Sequence, residues 1–406
     1  MGKNGLGDSR ILSVRRGGLM KKILFVSHSS ELNGAELWLL DALRGIDRQK
    51  YGLLLAVPRP GPLEEEARAL GAWTEIVPMK WWITERSRIW RQPLAWLFNK
   101  RSVHRLGKMI RSRKIDLVFS NSAAAAAGAF AARKQHIPHI WAIHELLKGD
   151  RVILRFFFGR RALSGIITRN SSRVIVNSLA TLKAFHDLDR VVLIHNGIET
   201  KGRKRDISRE MQLREELGIQ EDDIVIGVVG KIYEGKGQRE VIQAVAELVP
   251  RFPHVKLLVV GEAKDVRYYR RLQNMVREKG IEKNVIFTGY RRDLPGLLGL
   301  MRVMVIASVV ESFGRVAIQA MASGVPVLAV RAGGIPEIIR PGENGYLVES
   351  REPKEIALAL GEILDNPGAV LPVISRGLQT VRDRFSLESQ VKKVEALIEE
   401  CLESVK

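Results

Sequence analysis

Short apolar runs recur along the first half of the chain, at residues 23–26, 53–57, 117–120, 140–143, 174–176 and 191–194. Between them lie stretches whose apolar positions return every three or four residues, for example 35–43 and 64–70. A short apolar run bounded by polar or glycine turns fits a strand covered on both faces, and the longer period fits a helix packed against it. The alternation predicts parallel βαβ units. It pauses at 201–210, a charged stretch with no apolar face, and restarts at 224–229, 256–260, 285–287, 303–307 and 325–330. Two α/β domains in series follow, over residues 20–200 and 223–380, with a linker at 201–222. Residues 381–406 read as closing helices. Residues 1–19 read as a disordered extension, with Met20 as an alternative start.

Composition narrows the class. A chain of 406 residues suits two domains that each bury a core. No stretch approaches the roughly 20 apolar residues that span a bilayer, and the first twenty residues lack the apolar region of a secretory signal. The single cysteine, Cys401, excludes an intrachain disulfide framework and fits a reducing compartment, so the expected location is the cytoplasm.

The formal charge of +20 is unevenly spread. Residues 1–200 hold 33 Lys and Arg against 16 Asp and Glu, whereas residues 201–406 hold 32 against 29. The first half is therefore expected to face something anionic. Its densest stretch, 79–114, carries eleven basic residues, one acid (Glu85) and four of the seven tryptophans, Trp81, Trp82, Trp90 and Trp96. That composition suits a helix lying on anionic lipid, on the inner face of a membrane, or a grip on a phosphorylated lipid-linked acceptor. It equally suits a helix whose apolar residues pack beneath the domain while its arginines face water. No nucleic-acid motif accompanies the charge, so nucleic acid is not an expected partner.

Candidate chemistry gathers at strand ends, where parallel sheets bind ligands. Gly230 and Lys231 follow the 224–229 run, Gly261 and Glu262 follow 256–260, Glu311 follows 303–307, and His144 follows 140–143. Gly230, Gly235 and Lys236 have P-loop spacing, but Gly237 stands where that motif needs a magnesium-binding hydroxyl. What remains is a glycine-rich turn with two cations leading into a helix over 238–249, which suits a pyrophosphate. Asp187 with Asp189, and His136 with His139 and His144, are too sparse in ligands for a metal site, and none is expected. The most informative stretch is 308–327. It reads as a strand end, a tight turn bearing Glu311, and a helix entered through Gly314, where backbone amides can approach an anion.

This stretch resembles the signature of glycosyltransferase family 4, the group 1 glycosyltransferases of the GT-B fold. Supporting segments occur in the family's order: Asn33-Gly34-Ala35-Glu36, His144-Glu145, Ile194-His195-Asn196-Gly197-Ile198, Gly230-Lys231 with Lys236-Gly237, residues 285–290, and Ala332-Gly333-Gly334-Ile335-Pro336-Glu337. The resemblance implies an α/β chain of two Rossmann-like domains facing each other across a cleft. It implies a retaining enzyme that moves a sugar from a nucleotide-sugar donor to a glycan or lipid-linked acceptor, in cell-envelope polysaccharide or lipopolysaccharide synthesis. Attack would come from the departing diphosphate's own face. No metal or cofactor is expected, since the nucleotide-sugar is a substrate.

Carried over residue by residue, His144 and Glu311 would be catalytic. Gly34, Gly230, Lys231, Lys236, Ser312, Phe313, Gly314, Arg315 and Gln319 would bind the donor, with its base near Tyr290 and Arg291. One position departs: where the family has a second acid, seven residues plus one after Glu311, this chain has Gln319. The departure keeps open a catalytically weakened or non-catalytic donor-binding protein of the same fold. A nucleotide-sugar 2-epimerase is the other alternative, although the extra acid/base carboxylates it needs are not identified.

Overall fold

A computed structural model describes residues 20–147, 154–200 and 206–404. Its strands are β1 (Lys21–Ser27), β2 (Tyr51–Val57), β3 (Trp73–Ile76), β4 (Thr84–Glu85), β5 (Leu117–Asn121), β6 (His139–Ile143), β7 (Leu154–Arg155), β8 (Arg173–Val176) and β9 (Val191–Leu193). They continue with β10 (Ile224–Val229), β11 (Val255–Val260), β12 (Val285–Gly289), β13 (Val303–Ile306), β14 (Val327–Val330) and β15 (Tyr346–Val348). The first sheet runs β3-β2-β1-β5-β6-β8-β9 and the second β12-β11-β10-β13-β14-β15, with parallel pairing throughout both. β4 and β7 form a small antiparallel pair apart from them. Helices cover both sheets, so Ile23 to Val26 in β1 and Leu257 to Val259 in β11 are wholly enclosed.

The expected strands are all present. Beyond them and the β4–β7 pair, the two large sheets gain β3 and β15, short edge strands of mixed composition without a continuous apolar signal. β14 starts at Val327 rather than 325 because Pro326 has no N–H for the ladder.

The expected linker at 201–222 needs correction. Residues 201–205 lie outside the described residues, but Ile207–Leu217 is a helix capped by the Asp206 side chain on Arg209 N and ended by Gly218 at φ +64°. It packs on the second domain through fully enclosed Leu213, and Arg209 binds Asp293 at 2.6 Å. Ile207 and Met211 stay exposed, so the helix buries a stripe too narrow to register as periodicity.

The 381–406 segment also divides differently from the closing-helix expectation. The helix Pro367–Arg384 ends beside the second sheet, while Leu387–Glu403 returns to the first domain. There Val391, Val394, Leu397, Ile398 and Cys401 join the core formed by Trp38, Leu39, Phe25 and Phe119. Glu395 accepts from Asp47 N at 2.7 Å, and Lys50 pairs with Glu399 at 3.0 Å. The chain therefore crosses between domains twice. The two crossings pair: Ile198 N donates to Phe385 O at 3.0 Å and Leu387 N to Ile198 O at 2.9 Å. At Gly197 a Cβ would lie 2.5 Å from Ser386 O, so this contact admits only glycine.

The basic 79–114 stretch turns both ways. The helix Gln92–Arg113 buries Val103, Leu106 and Ile110, and Trp82 is enclosed before it. Trp90, Leu94 and Leu97 remain more than half exposed, and Trp81 and Trp96 are exposed as well. Among the described residues no single helix is long and apolar enough to cross a membrane.

Candidate active site

The carboxyl ends of the second sheet hold the glycine turns. Gly230 follows β10 at φ +143° and Gly261 follows β11 at φ +150°; a Cβ on Gly261 would meet Gly230 O at 2.0 Å. Gly237, at φ +78°, starts the helix Gln238–Leu248 hard against Ala307 O. Val309 N donates to Gly235 O at 2.9 Å. These close approaches lock the Lys231–Lys236 turn onto the Glu311 turn. As a result Lys236 Nζ reaches Glu311 Oε2 at 2.7 Å. Burial alone would lower the ammonium's pKa, but the Glu311 carboxylate and Tyr233 raise it overall, so Lys236 stays cationic. Lys231 is half-buried and forms no ion pair among the described residues.

A third glycine turn supports Glu311 from below. Gly334 N donates to Glu311 O at 2.9 Å. Gly333 sits at φ +53° with its absent Cβ 1.7 Å from that same oxygen. Gly314, at φ +106°, opens the helix Arg315–Ala322 toward Ser312 and the turn. Phe313 points away, into an aromatic group with His195 and Phe385 at centroid distances of 5.6 Å, where the chain crosses between domains. Gln319 is half-buried on the same helix, with no side-chain hydrogen bond among the described residues.

Tyr290 is exposed after β12, free to stack. Arg291 is otherwise engaged: its guanidinium binds Asp293 at 2.7 and 2.9 Å and pairs with Glu216, and these hydrogen bonds raise its pKa. It braces the loop rather than offering a free cation.

On the first domain, β5 and β6 bring Asn121 and His144 together. Asn121 Nδ2 donates to Ala35 O at 3.0 Å, which turns its Oδ1 toward the imidazole. His144 Nε2 therefore carries the proton and donates at 2.8 Å, leaving Nδ1 as an acceptor. Burial lowers the His144 pKa to about 4; Glu145 opposes this, while His28 and Arg315 add to it. The Glu145 carboxylate is turned back, accepting from Ser122 Oγ, from Ala123 N at 3.0 Å and from His144 N at 3.1 Å. Trp38 packs 5.0 Å from the His144 ring. Gly34 starts the helix Gly34–Gly45 with open space around its missing side chain, leaving this helix end accessible.

The two domains meet through Arg315. Its guanidinium pairs with Asp41 on the Gly34–Gly45 helix, and Nη1 donates to Gly197 O at 3.4 Å. Glu337 makes a second bridge, accepting from Leu179 N at 2.8 Å, Ala180 N at 3.1 Å and His195 Nε2 at 3.1 Å. Asp41 and Asn121 escaped the sequence reading. Asn121 was within reach, because the strand-end rule applies to β5 as it does to β6. Asp41 carried no signal, lying one turn inside a helix.

Of the three histidines rejected as a metal grouping, His144 alone lies in this site. His139 is buried and bonded to Asn170 O, Ser171 Oγ and Ser120 Oγ, while His136 is exposed. Asp222, Asp223 and His254 do cluster, but at the amino ends of β10 and β11, opposite the glycine turns.

The chain is similar to known proteins in family and fold. The family described as Glycosyltransferase Family 4 matches residues 32–201, and Glycosyl transferases group 1 matches residues 210–376. The chain is 30% identical over 235 residues to N-acetyl-alpha-D-glucosaminyl L-malate synthase of Bacillus anthracis, covering 58% of this chain and 59% of that protein. It is 38% identical over 157 residues to D-inositol 3-phosphate glycosyltransferase of Corynebacterium jeikeium, covering 37% and 38% respectively. The chain thus spans about half the length of the curated relatives it matches. Among solved structures, Anabaena HepE in complex with UDP and glucose superposes with a TM-score of 0.81 at 25% identity, over 93% of this chain and 99% of that one.

Proposed function

We propose that this chain, which belongs to the group 1, family 4 glycosyltransferases, moves a hexose-like sugar from a nucleotide-sugar donor with retention of anomeric configuration. The observation that carries the reading is the meeting of the two half-sites. Arg315 opens the donor-side helix, pairs with Asp41 across the cleft, and lies close enough to His144 to disfavour its protonation.

In this reading the diphosphate lies over the Gly230 and Gly314 turns. Lys231 and Lys236 neutralise the charge that grows on it as the sugar bond breaks, so cations of the chain do the work a metal does elsewhere. Glu311, held by Lys236, orients sugar hydroxyls. The acceptor hydroxyl attacks the anomeric carbon from the diphosphate's face. The glycosidic C–O bond to phosphate breaks, and the departing phosphate oxygen takes the acceptor's proton. Neutral His144, in its single tautomer, positions the sugar or acceptor beside this centre. UDP is the favoured carrier, because HepE, similar over nearly its whole length, binds it.

The acceptor is a glycan or lipid-linked anion of cell-envelope polysaccharide or lipopolysaccharide synthesis, met on the cytoplasmic face of an anionic membrane. The basic first half and the exposed Trp90, Leu94 and Leu97 support this. A weakened or purely donor-binding protein is the second reading, favoured by Gln319.

A thermal-shift panel of nucleotide diphosphates and their sugars tests the donor site, since a bound ligand raises the melting temperature. No response to any of them would sink it. Turnover with mixed acceptors would remove the second reading, and a product of inverted configuration by NMR would remove retention.

A further inference from the structure

Outside the cleft, a cavity of about 600 Å³ opens between the helices Gln92–Arg113 and Ala126–Lys134. Trp82, Trp96, Val103 and Phe130 form its walls, and their contact surface is overwhelmingly apolar. The rings build a fixed shape: Trp96 lies 5.9 Å from Trp82 and 5.7 Å from Phe130. Lys100, Arg133 and Lys134 also line it, and all three are exposed. Among the described residues Lys100 and Lys134 have no ion-pair partner, and the Arg133 side chain hydrogen-bonds Asn170 Oδ1 alone, at 3.0 Å. A dry slot with uncompensated cations beside it is the complement of an amphiphile with an acidic head. The chain leaves water for the walls, and the head meets the cations.

The cavity also touches the acceptor half-site. Trp82 Nε1 donates to Ala123 O at 2.6 Å, and Ala123 N donates to the Glu145 carboxylate next to His144. The wall of the slot and the catalytic loop thus share one residue.

We propose that this cavity holds the hydrocarbon tail of an anionic, lipid-linked acceptor, with Lys100, Arg133 and Lys134 at its acidic head. Naming the ligand as the acceptor rests on the glycosyltransferase reading; the cavity's chemistry stands on its own residues.

The test uses the full chain and decyl phosphate below its micelle-forming concentration, read by tryptophan fluorescence and thermal shift. Inorganic phosphate and decyl maltoside serve as head-only and neutral-head probes. Saturable binding of decyl phosphate alone is expected. Lys100→Glu with Lys134→Glu, both on the surface, should weaken it by about tenfold or more, given ~1 kcal/mol per basic residue at an anionic group. Val103→Phe, which fills the slot, should abolish it. Equal binding of inorganic phosphate would show an anion site without a tail, and equal binding of decyl maltoside an apolar patch without head recognition. Either result overturns the proposal, as does undiminished binding in both variants. UDP-induced stabilisation on the same samples separates the two readings: its absence counts against the donor site, whereas a missing decyl phosphate response counts against this cavity alone.

Discussion

Arg315 of the second domain pairs with Asp41 of the first, and both side chains are largely shielded from water, at 14% and 12% exposure. Removing one partner of such a pair leaves a poorly solvated charge behind. Asp41→Asn should therefore destabilise the protein by about 1–3 kcal/mol and loosen the closed arrangement. Denaturant titration and small-angle scattering check this. Unchanged stability and an unchanged radius of gyration would show that Glu337 and the paired crossings hold the domains by themselves.

Lys236 and Glu311 define the donor side. Lys236→Gln removes a charged hydrogen bond to Glu311 and one cation from the diphosphate. UDP binding by calorimetry should weaken by about 10–100-fold, the equivalent of ~1.5–3 kcal/mol for a charged contact. Wild-type affinity in this variant would place the diphosphate elsewhere.

Among the described residues Gln319 has no side-chain hydrogen-bond partner, and it sits on the helix that Gly314 opens. Gln319→Glu restores an ionised acceptor for ribose hydroxyls, so donor affinity should rise by about 1–2 kcal/mol. Equal or weaker binding would mean that residue 319 does not face the donor.

His144 gives a pH signature. Burial holds it at about 4 in the folded chain, against about 6.5 when unfolded. Between these values the unfolded chain binds the extra proton, so stability rises with pH and is lost as pH falls from about 6.5 to about 4. This group contributes up to ~3 kcal/mol of that loss. His139, held at about 3 by burial, adds with the same sign. Denaturant titrations of wild type and His144→Asn across this window should show a shallower slope in the variant. Activity should show no inflection near the ordinary histidine pKa, because His144 is already neutral there.

Gly333→Ala forces a side chain onto the Glu311 carbonyl at a backbone angle that favours glycine. It should cost more than about 2 kcal/mol and abolish donor binding, read by melting temperature and UDP calorimetry. A folded variant with intact UDP affinity would show that the turn relaxes without moving Glu311.

Much of this was legible along the chain. Each buried parallel strand carried its own continuous apolar run, and the turn residues that follow a strand sit next to it in sequence. Gly230, Lys231, His144 and Glu311 stand out that way, because local geometry alone puts a strand-end residue at the sheet's ligand edge. Leu213 shows where this fails: one enclosed residue on a charged helix leaves no period to read.

By itself, then, the sequence determined the two α/β layers, the glycine turns at their strand ends, and the excess of positive charge in the first half. The tertiary structure alone decided which distant segments meet. It returned 387–403 to the first domain's core, gave Asp41 its partner 274 residues away, and oriented the His144 ring through Asn121. Strand and turn signals are short-range, set by neighbouring φ/ψ preferences and periodic burial. Pairings across the cleft depend on how two finished surfaces dock, and no local pattern encodes that.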